Sequence, residues 1–522
     1  MVATPEESAH RATEAHEFIQ QELEQNRHVA PDRIEVLHTA LELVQKMSYQ
    51  IPSTSHFDLD DAVTEEATGS ESSPPELLFM MLPGMSEDGG GLKHLHWPDH
   101  ISSHALEKMI LCLVENEGDE DCRLYYRVCV YTKAFFCALK WFQVYRSPTI
   151  RRRLESSQRQ YKAVALAALR RLHFLSPPSL SLVQALLSGA MLMQYIGNMS
   201  RSWSLTAFAA RILVSLNSHT AESRRLLQAE LNEDHGSCLY WCYYLDKVLS
   251  ALFARQPSLP KLDFDPVTLV PCGSSNPLQK IVMIMIEMAK VQEGILDMQL
   301  KRAEKGPAAN FQFESLLQTA NCLFAQIRDT RLSMSGELQG EFDAAEFGYF
   351  ATMTSIFKHS RPRYTSTSHH ECLEFARKAL KSLITMLQPV GLDLSTAEPY
   401  PSFLSWTVLL YPLTPFFVLF CNVVSSSNDN DFILIQDVTK RLSRFVHGNK
   451  WIHKVHGLFN MFLHLCDPLM QHIGSERPGD LNRGRLSADE TLPLERLEAT
   501  DETLMWELFT AQPSLEWFDL DL

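Results

Sequence analysis

From His104 to about Met470 the apolar residues recur at three- and four-residue spacing, in one stretch after another. Runs that alternate apolar and polar residues are few. That periodicity is the strongest constraint on this chain. It places side chains on one face of a 3.6-residue helix and leaves little material for a sheet. The expected fold class is all-α, a multi-helix array or bundle of paired helices joined by short loops. Leu124 to Val144 is apolar on most faces and reads as a central buried helix. Leu154 to Leu175 is amphipathic, with Val164, Leu166 and Leu169 set against Arg159, Lys162, Arg170 and Arg171. Ser176-Pro177-Pro178 is expected to stop it and to start the next helix, because proline tolerates the first helical turn. Leu180 to Tyr195 and Trp203 to Leu216 follow. Ala185, Ser188, Gly189 and Ala190 are small enough for close helix approach.

The helical body has flanks of different character. Residues 1–50 carry two short amphipathic stripes: Phe18, Ile19 and Leu23, then Ile34, Leu37, Leu41, Leu43 and Val44, with Ala30-Pro31-Asp32 between them. Such a segment offers a dimerisation face. Residues 51–75 are acidic and poor in large apolar groups, the composition of a disordered linker. Pro74-Pro75 opens a short apolar helix, Glu76 to Leu82, and the body is taken as residues 76–470. Residues 471–522 form an acidic-aromatic tail. From Ser487 onward ten acids and one base, Arg496, surround Trp506, Leu508, Phe509, Trp517 and Phe518. Acids keep such apolar groups solvated until they enter a groove on a partner, which makes this an activation-type contact segment. The other reading is a segment that docks on its own body.

Charge and motif content narrow the function classes. The net charge of −16 repels phosphate backbones, so bulk electrostatics do not hold this chain on nucleic acid. Arg151-Arg152-Arg153, with Arg170 and Arg171, is the strongest basic feature and reads as a solvated or partner-contacting face. The 11 cysteines show no disulfide-framework spacing and no Cys-x2-Cys pair, so reduced buried thiols are expected and no metal site. Cys122, Cys129 and Cys137, the Cys238-x3-Cys242 pair, and the histidines His94, His96, His369, His370, His447, His453 and His456 lack ligand spacing. Gly89-Gly90-Gly91 has no following Lys-Ser/Thr and is no phosphate cradle. There is no Gly-x-Ser-x-Gly elbow, so neither catalytic residues nor a cofactor is assigned. Phe403 to Val424 is uncharged and long enough to cross a bilayer, but Pro412 and Pro415 interrupt it. It reads as a buried helix pair, with no membrane as partner.

One stretch carries a family resemblance. Cys238-Leu-Tyr-Trp-Cys-Tyr-Tyr-Leu-Asp-Lys-Val-Leu-Ser250 runs on to Arg255-Gln-Pro257 and then to Asp263 and Asp265. This resembles the signature of the fungal-specific transcription factor domain, the middle homology region. Trp241, Tyr244, Asp246, Ser250, Arg255 and Pro257 stand in its positions. Ala254 stands where the family pattern has Gly, and Gln256 separates Arg255 from Pro257. Pro74 to Gly84, Leu180 to Leu216 and Tyr411 to Cys421 are similar to other parts of the same region, in the same order. The resemblance implies a nuclear transcription regulator, controlling a secondary-metabolite or nutrient gene set. Its partners would be the transcription machinery or a DNA-bound family member, with homo- or heterodimers formed through residues 1–50. The family's six-cysteine zinc cluster has no counterpart in this sequence, so DNA binding by this chain alone is left open. It is either lost, encoded upstream or supplied by a partner. An inhibitory or scaffolding partner of an intact family member is the alternative, and an all-helical enzyme a distant third.

Overall fold

A computed structural model describes residues 99–475 and four positions of the N-terminal segment, Arg33, Val36, Thr39 and Ala40. Breaks fall at 145–146, 174–175, 221, 223–228, 272–276, 301–306, 333–337, 360–365, 389–402, 409, 412–413 and 447–448. The fold is all-α, with no strand among the described residues. The Glu76–Leu82 helix, the 51–75 linker and most of the 471–522 tail lie outside the described residues, although the last helix continues to Ser475.

The array begins with α1 (Ser103–Glu115), α2 (Glu120–Val144), α3 (Pro148–Arg170), α4 (Leu180–Ile196), α5 (Met199–Ser215) and α6 (Ala229–Leu252). A 3-10 turn, Pro266–Leu269, leads to α7 (Pro277–Leu300), α8 (Pro307–Leu332), α9 (Gln339–His359) and α10 (Ser366–Met386). The short α11 (Phe403–Trp406), α12 (Thr414–Ser426), α13 (Asp429–Leu442) and α14 (Lys450–Ser475) complete it. Sequential neighbours pair most heavily: α2 with α3, α4 with α5, and α9 with α10. Short loops put the end of one helix beside the start of the next, so local pairs form at the least loop-closure cost. α6 packs on α5 and α4 on one side and on α7 on the other, and so joins the two halves of the array.

Local sequence sets the helix ends. Ser102 caps α1 by accepting from the Ala105 amide at 3.2 Å, and Asn198 caps α5 by accepting from Arg201 at 3.0 Å. α4 differs from expectation at its start. It begins at Leu180, with Ser179 accepting from the Leu182 amide, so Pro177 and Pro178 precede the helix instead of occupying its first turn. The serine outcompetes the prolines because it satisfies an amide that would otherwise have no partner. At its other end α4 closes on Gly197, whose φ of 98° is left-handed and whose amide donates to Met193 and Gln194.

The Phe403–Val424 stretch is divided into α11 and α12. Phe416, Phe417, Phe420 and Val424 are buried against α10 and α14, and Phe416 stacks on Phe459 at 3.7 Å. Among the described residues no helix is long and apolar enough to cross a membrane.

Candidate functional site

The residues singled out in the sequence converge on the C-terminal half of α6 and the turn after it. Trp241, Tyr244, Asp246 and Ser250 are all buried, Ser250 completely. Asp246 and Ser250 are four apart and share a helix face. Asp246 reaches across the turn, where its two oxygens accept from the amides of Ser258 at 2.8 Å and Leu259 at 3.0 Å. A carboxylate that binds two successive amides clamps the backbone in one shape. Lys247 is equally buried. Its ammonium donates to the Leu259 carbonyl at 3.0 Å and lies 3.2 Å from Glu293 of α7 and 3.6 Å from Asp246. Tyr243 donates to Glu293 at 3.0 Å, which adds a second link from α6 to α7. Burial pushes the Asp246 carboxyl up from its ordinary 3.8, while Lys247 and the two amides pull the other way.

A second tie runs to α5. The Trp203 indole donates to the Ser250 hydroxyl at 3.3 Å, and the Arg255 guanidinium lies 4.6 Å from the Trp203 ring centroid. The Arg255 amide donates to the Ser250 carbonyl at 2.9 Å. Trp203, Ser250, Phe253 and Arg255 therefore hold one corner, with the cation on the indole face. Between Phe253 and Arg255, Ala254 has φ of 49°. Ala254, at the position where the resembled pattern has Gly, is left-handed in this chain. Trp241 meets Tyr244 edge to face at 6.1 Å, and Tyr244 meets Trp406 of α11 at 6.3 Å. Pro257 is half-buried within the same turn. Asp265 caps the 3-10 turn through the Val267 amide and pairs with Lys290 of α7 at 2.7 Å. The whole cluster is an internal brace that fixes α5, α6, α7 and the turn to one another. Trp506, Leu508, Phe509, Trp517 and Phe518 lie outside the described residues.

A polar constellation that the sequence reading did not single out lies between α2, α4 and α6. His100 Nδ1 lies 2.8 Å from Asp99, and His100 Nε2 lies 2.8 Å from the Ser188 hydroxyl and 3.2 Å from the Gln184 carbonyl. Lys133 donates to Asp99. Burial acts to raise the Asp99 carboxyl, but Lys133 and His100 overcome it and hold the carboxyl well below its usual range. An Asp–His–Ser series invites comparison with a nucleophilic triad. Here Ser188 is mid-helix and 1% exposed, and His100 is 4% exposed. A reacting carbonyl has no room to approach that hydroxyl, and the chemistry the geometry supports is structural pairing. No short-range motif marked this group, because Asp99 and Ser188 are far apart in sequence.

The remaining candidates are dispersed. Cys238 donates to the His100 carbonyl at 3.3 Å, Cys242 lies 3.9 Å from the Thr206 carbonyl, and burial pushes both thiols well up. Among the described residues no group of three or more His, Cys, Asp or Glu side chains is placed to hold a metal ion. In the basic series, Arg151 lies over the Phe142 ring at 4.3 Å, Arg152 and Arg153 are exposed, and Arg171 pairs with Glu120 at 3.0 Å on the surface. Arg377, Asp431 and Asn422 form a further, partly buried tie. Arg377 binds Asp431 with two bonds of 2.7 and 2.9 Å, beside an open groove of about 580 Å³ between α10 and α13.

Two comparisons bear on this arrangement. Residues 145–274 match the fungal specific transcription factor domain, a span that runs from the start of α3 to just past the 3-10 turn and contains the α5 and α6 parts of the brace and the turn, but not its partners on α7. An uncharacterized transcriptional regulatory protein of Schizosaccharomyces pombe is 22% identical over 318 residues. The match covers 56% of this chain and 48% of that protein, so the chain spans about half the length of the curated relative it matches.

Proposed function

We propose, from the premise that this chain carries a fungal specific transcription factor domain, that it is a transcription regulator acting in the nucleus. The observation that carries the reading is the coincidence of the matched segment with the brace on α6. Every signature position, from Trp241 to Pro257, lies inside it. A site whose polar groups are spent on holding helices together suits a regulatory scaffold better than a catalyst. The proposed contacts to the transcription machinery, or to a DNA-bound family member, are made by the acidic-aromatic segment with Trp506, Leu508, Phe509, Trp517 and Phe518. A secondary-metabolite or nutrient gene set is the proposed target. The test is a reporter driven by residues 487–522, and separately by the whole chain, each fused to a foreign DNA-binding domain. Reporter output that falls when the five named apolar residues are changed to Ala supports the reading. A reporter left unchanged by both fusions refutes it.

A further inference from the structure

Positive charge is gathered on α3. Residues 148–171, the helix and its C-cap Arg171, hold seven cations and one acid, Glu155, in a chain of net charge −16. At about 100° per residue, Arg152, Arg153, Arg159, Arg170 and Arg171 fall within an arc of about 120°. All five are exposed. Leu154, Tyr161, Ala165 and Leu169 are buried on the other side of the helix. Ser156, Ala163 and Ala167 run down the middle of the arc, which is about 28 Å long from Arg152 to Arg171.

The start of the helix points the same way. Ser147 makes no side-chain capping bond, and the first turn holds no acid. Arg151, Arg152 and Arg153 stand instead near the positive end of the helix dipole, where cations are unfavourable and an anion is stabilised. Arg159 lies 3.4 Å from Glu155, and Arg171 lies 3.0 Å from Glu120, with all four side chains more than half exposed. Such surface pairs contribute little, so a guanidinium can trade its carboxylate for a phosphate that it grips with two bonds.

The occupant follows from the make-up of the face. Its middle has small side chains, and the exposed Ile150 lies outside the arc. Protein partners are held mainly by bulky side chains buried at the centre of the contact, whereas phosphate backbones are held by Arg together with small polar groups. The overall negative charge does not forbid this contact, because salt screens exposed charges beyond about 8 Å at physiological ionic strength. We propose that the outer face of α3 binds the phosphate backbone of duplex DNA, without reading bases, through these five arginines. The choice of DNA rests on the transcription reading. A reporter driven through a foreign DNA-binding domain does not need this face, so the two fail separately.

The experiment follows the fluorescence anisotropy of a labelled duplex of arbitrary sequence as the full chain is added, from about 50 to about 200 mM salt. Binding is expected at the low end and should weaken with a log–log salt slope of about −3 to −4, as about four phosphate contacts require. Arg152→Gln, Arg159→Gln and Arg171→Gln should each weaken binding severalfold and make the slope shallower by about 0.9. Arg328→Gln, exposed on α8, should leave affinity and slope unchanged. All four variants should keep the parent's circular dichroism, since these side chains are on the surface. Absence of duplex binding at the lowest salt overturns the proposal. So do α3 variants that bind like the parent, or an equal loss in Arg328→Gln. A glutamate homopolymer that displaces the duplex at equal charge overturns the choice of DNA and marks the face as a site for acidic peptides.

Discussion

Truncating Asp246 to Ala tests whether the brace holds the turn after α6. Two charge-assisted bonds are lost, to the Ser258 and Leu259 amides. Each such bond contributes about 1.5–3 kcal/mol, and the buried Leu259 amide is left without a partner. Lys247 is not stranded, because Glu293 and the Leu259 carbonyl remain. The burial cost that raises the Asp246 carboxyl is recovered on truncation, which favours the lower end of the range. The expected loss for Asp246→Ala is therefore about 3 kcal/mol. Asp246→Asn keeps a neutral acceptor and should lose roughly half as much. The assay is equilibrium urea unfolding followed by tryptophan fluorescence, with Trp203 as a reporter at the same corner through Arg255. A loss below about 1 kcal/mol in Asp246→Ala, or an Asn variant as weak as the Ala variant, would refute the clamp.

Three further outcomes follow from the geometry. Ala254→Gly should stabilise the chain by about 0.5–1 kcal/mol in the same urea assay, since a left-handed Ala costs more than the added chain entropy of Gly. Gly197→Ala should cost about 3 kcal/mol or more, because φ is 98° there and a Cβ would stand 2.2 Å from Trp451 Cδ1; a melting temperature close to the parent's would contradict this. Burial lowers His235, His369 and His456 below their ordinary 6.5. The folded state then binds fewer protons than the unfolded chain, so their stability is present above pH 6.5 and is lost as pH falls through the folded values. Melting temperature should drop on going from pH 7.5 to 5.5, and His235→Gln should flatten that drop. A pH-independent melt would exclude the linkage.

The periodic apolar pattern was enough to identify the all-α class and several helices of the body. Leu180 to Tyr195 and Trp203 to Leu216 are found as α4 and α5, displaced by a few residues at their ends. Periodicity survives folding because each helix must turn its own apolar face inward. Capping was less legible: Ser179, not the adjacent prolines, starts α4, since only the side-chain oxygen satisfies a free amide. The resemblance around Trp241 to Pro257 located the brace, but not what it does. The partners of Asp246 lie twelve and thirteen residues downstream, on a turn whose path no local rule specifies.

Other groups had no local signal at all. Asp99 and His100 meet Ser188 only because α2, α4 and α6 converge, and Arg377 finds Asp431 across 54 residues. Arg33 reaches Ser425 across 392 residues. Sequence by itself determined the helical class, the helix faces and the position of the signature, because these depend on spacing within a few turns. Tertiary structure alone decided which buried polar groups pair and where the N-terminal segment sits. Those contacts arise when distant helices close on one another, and burial then obliges each polar group to find a partner.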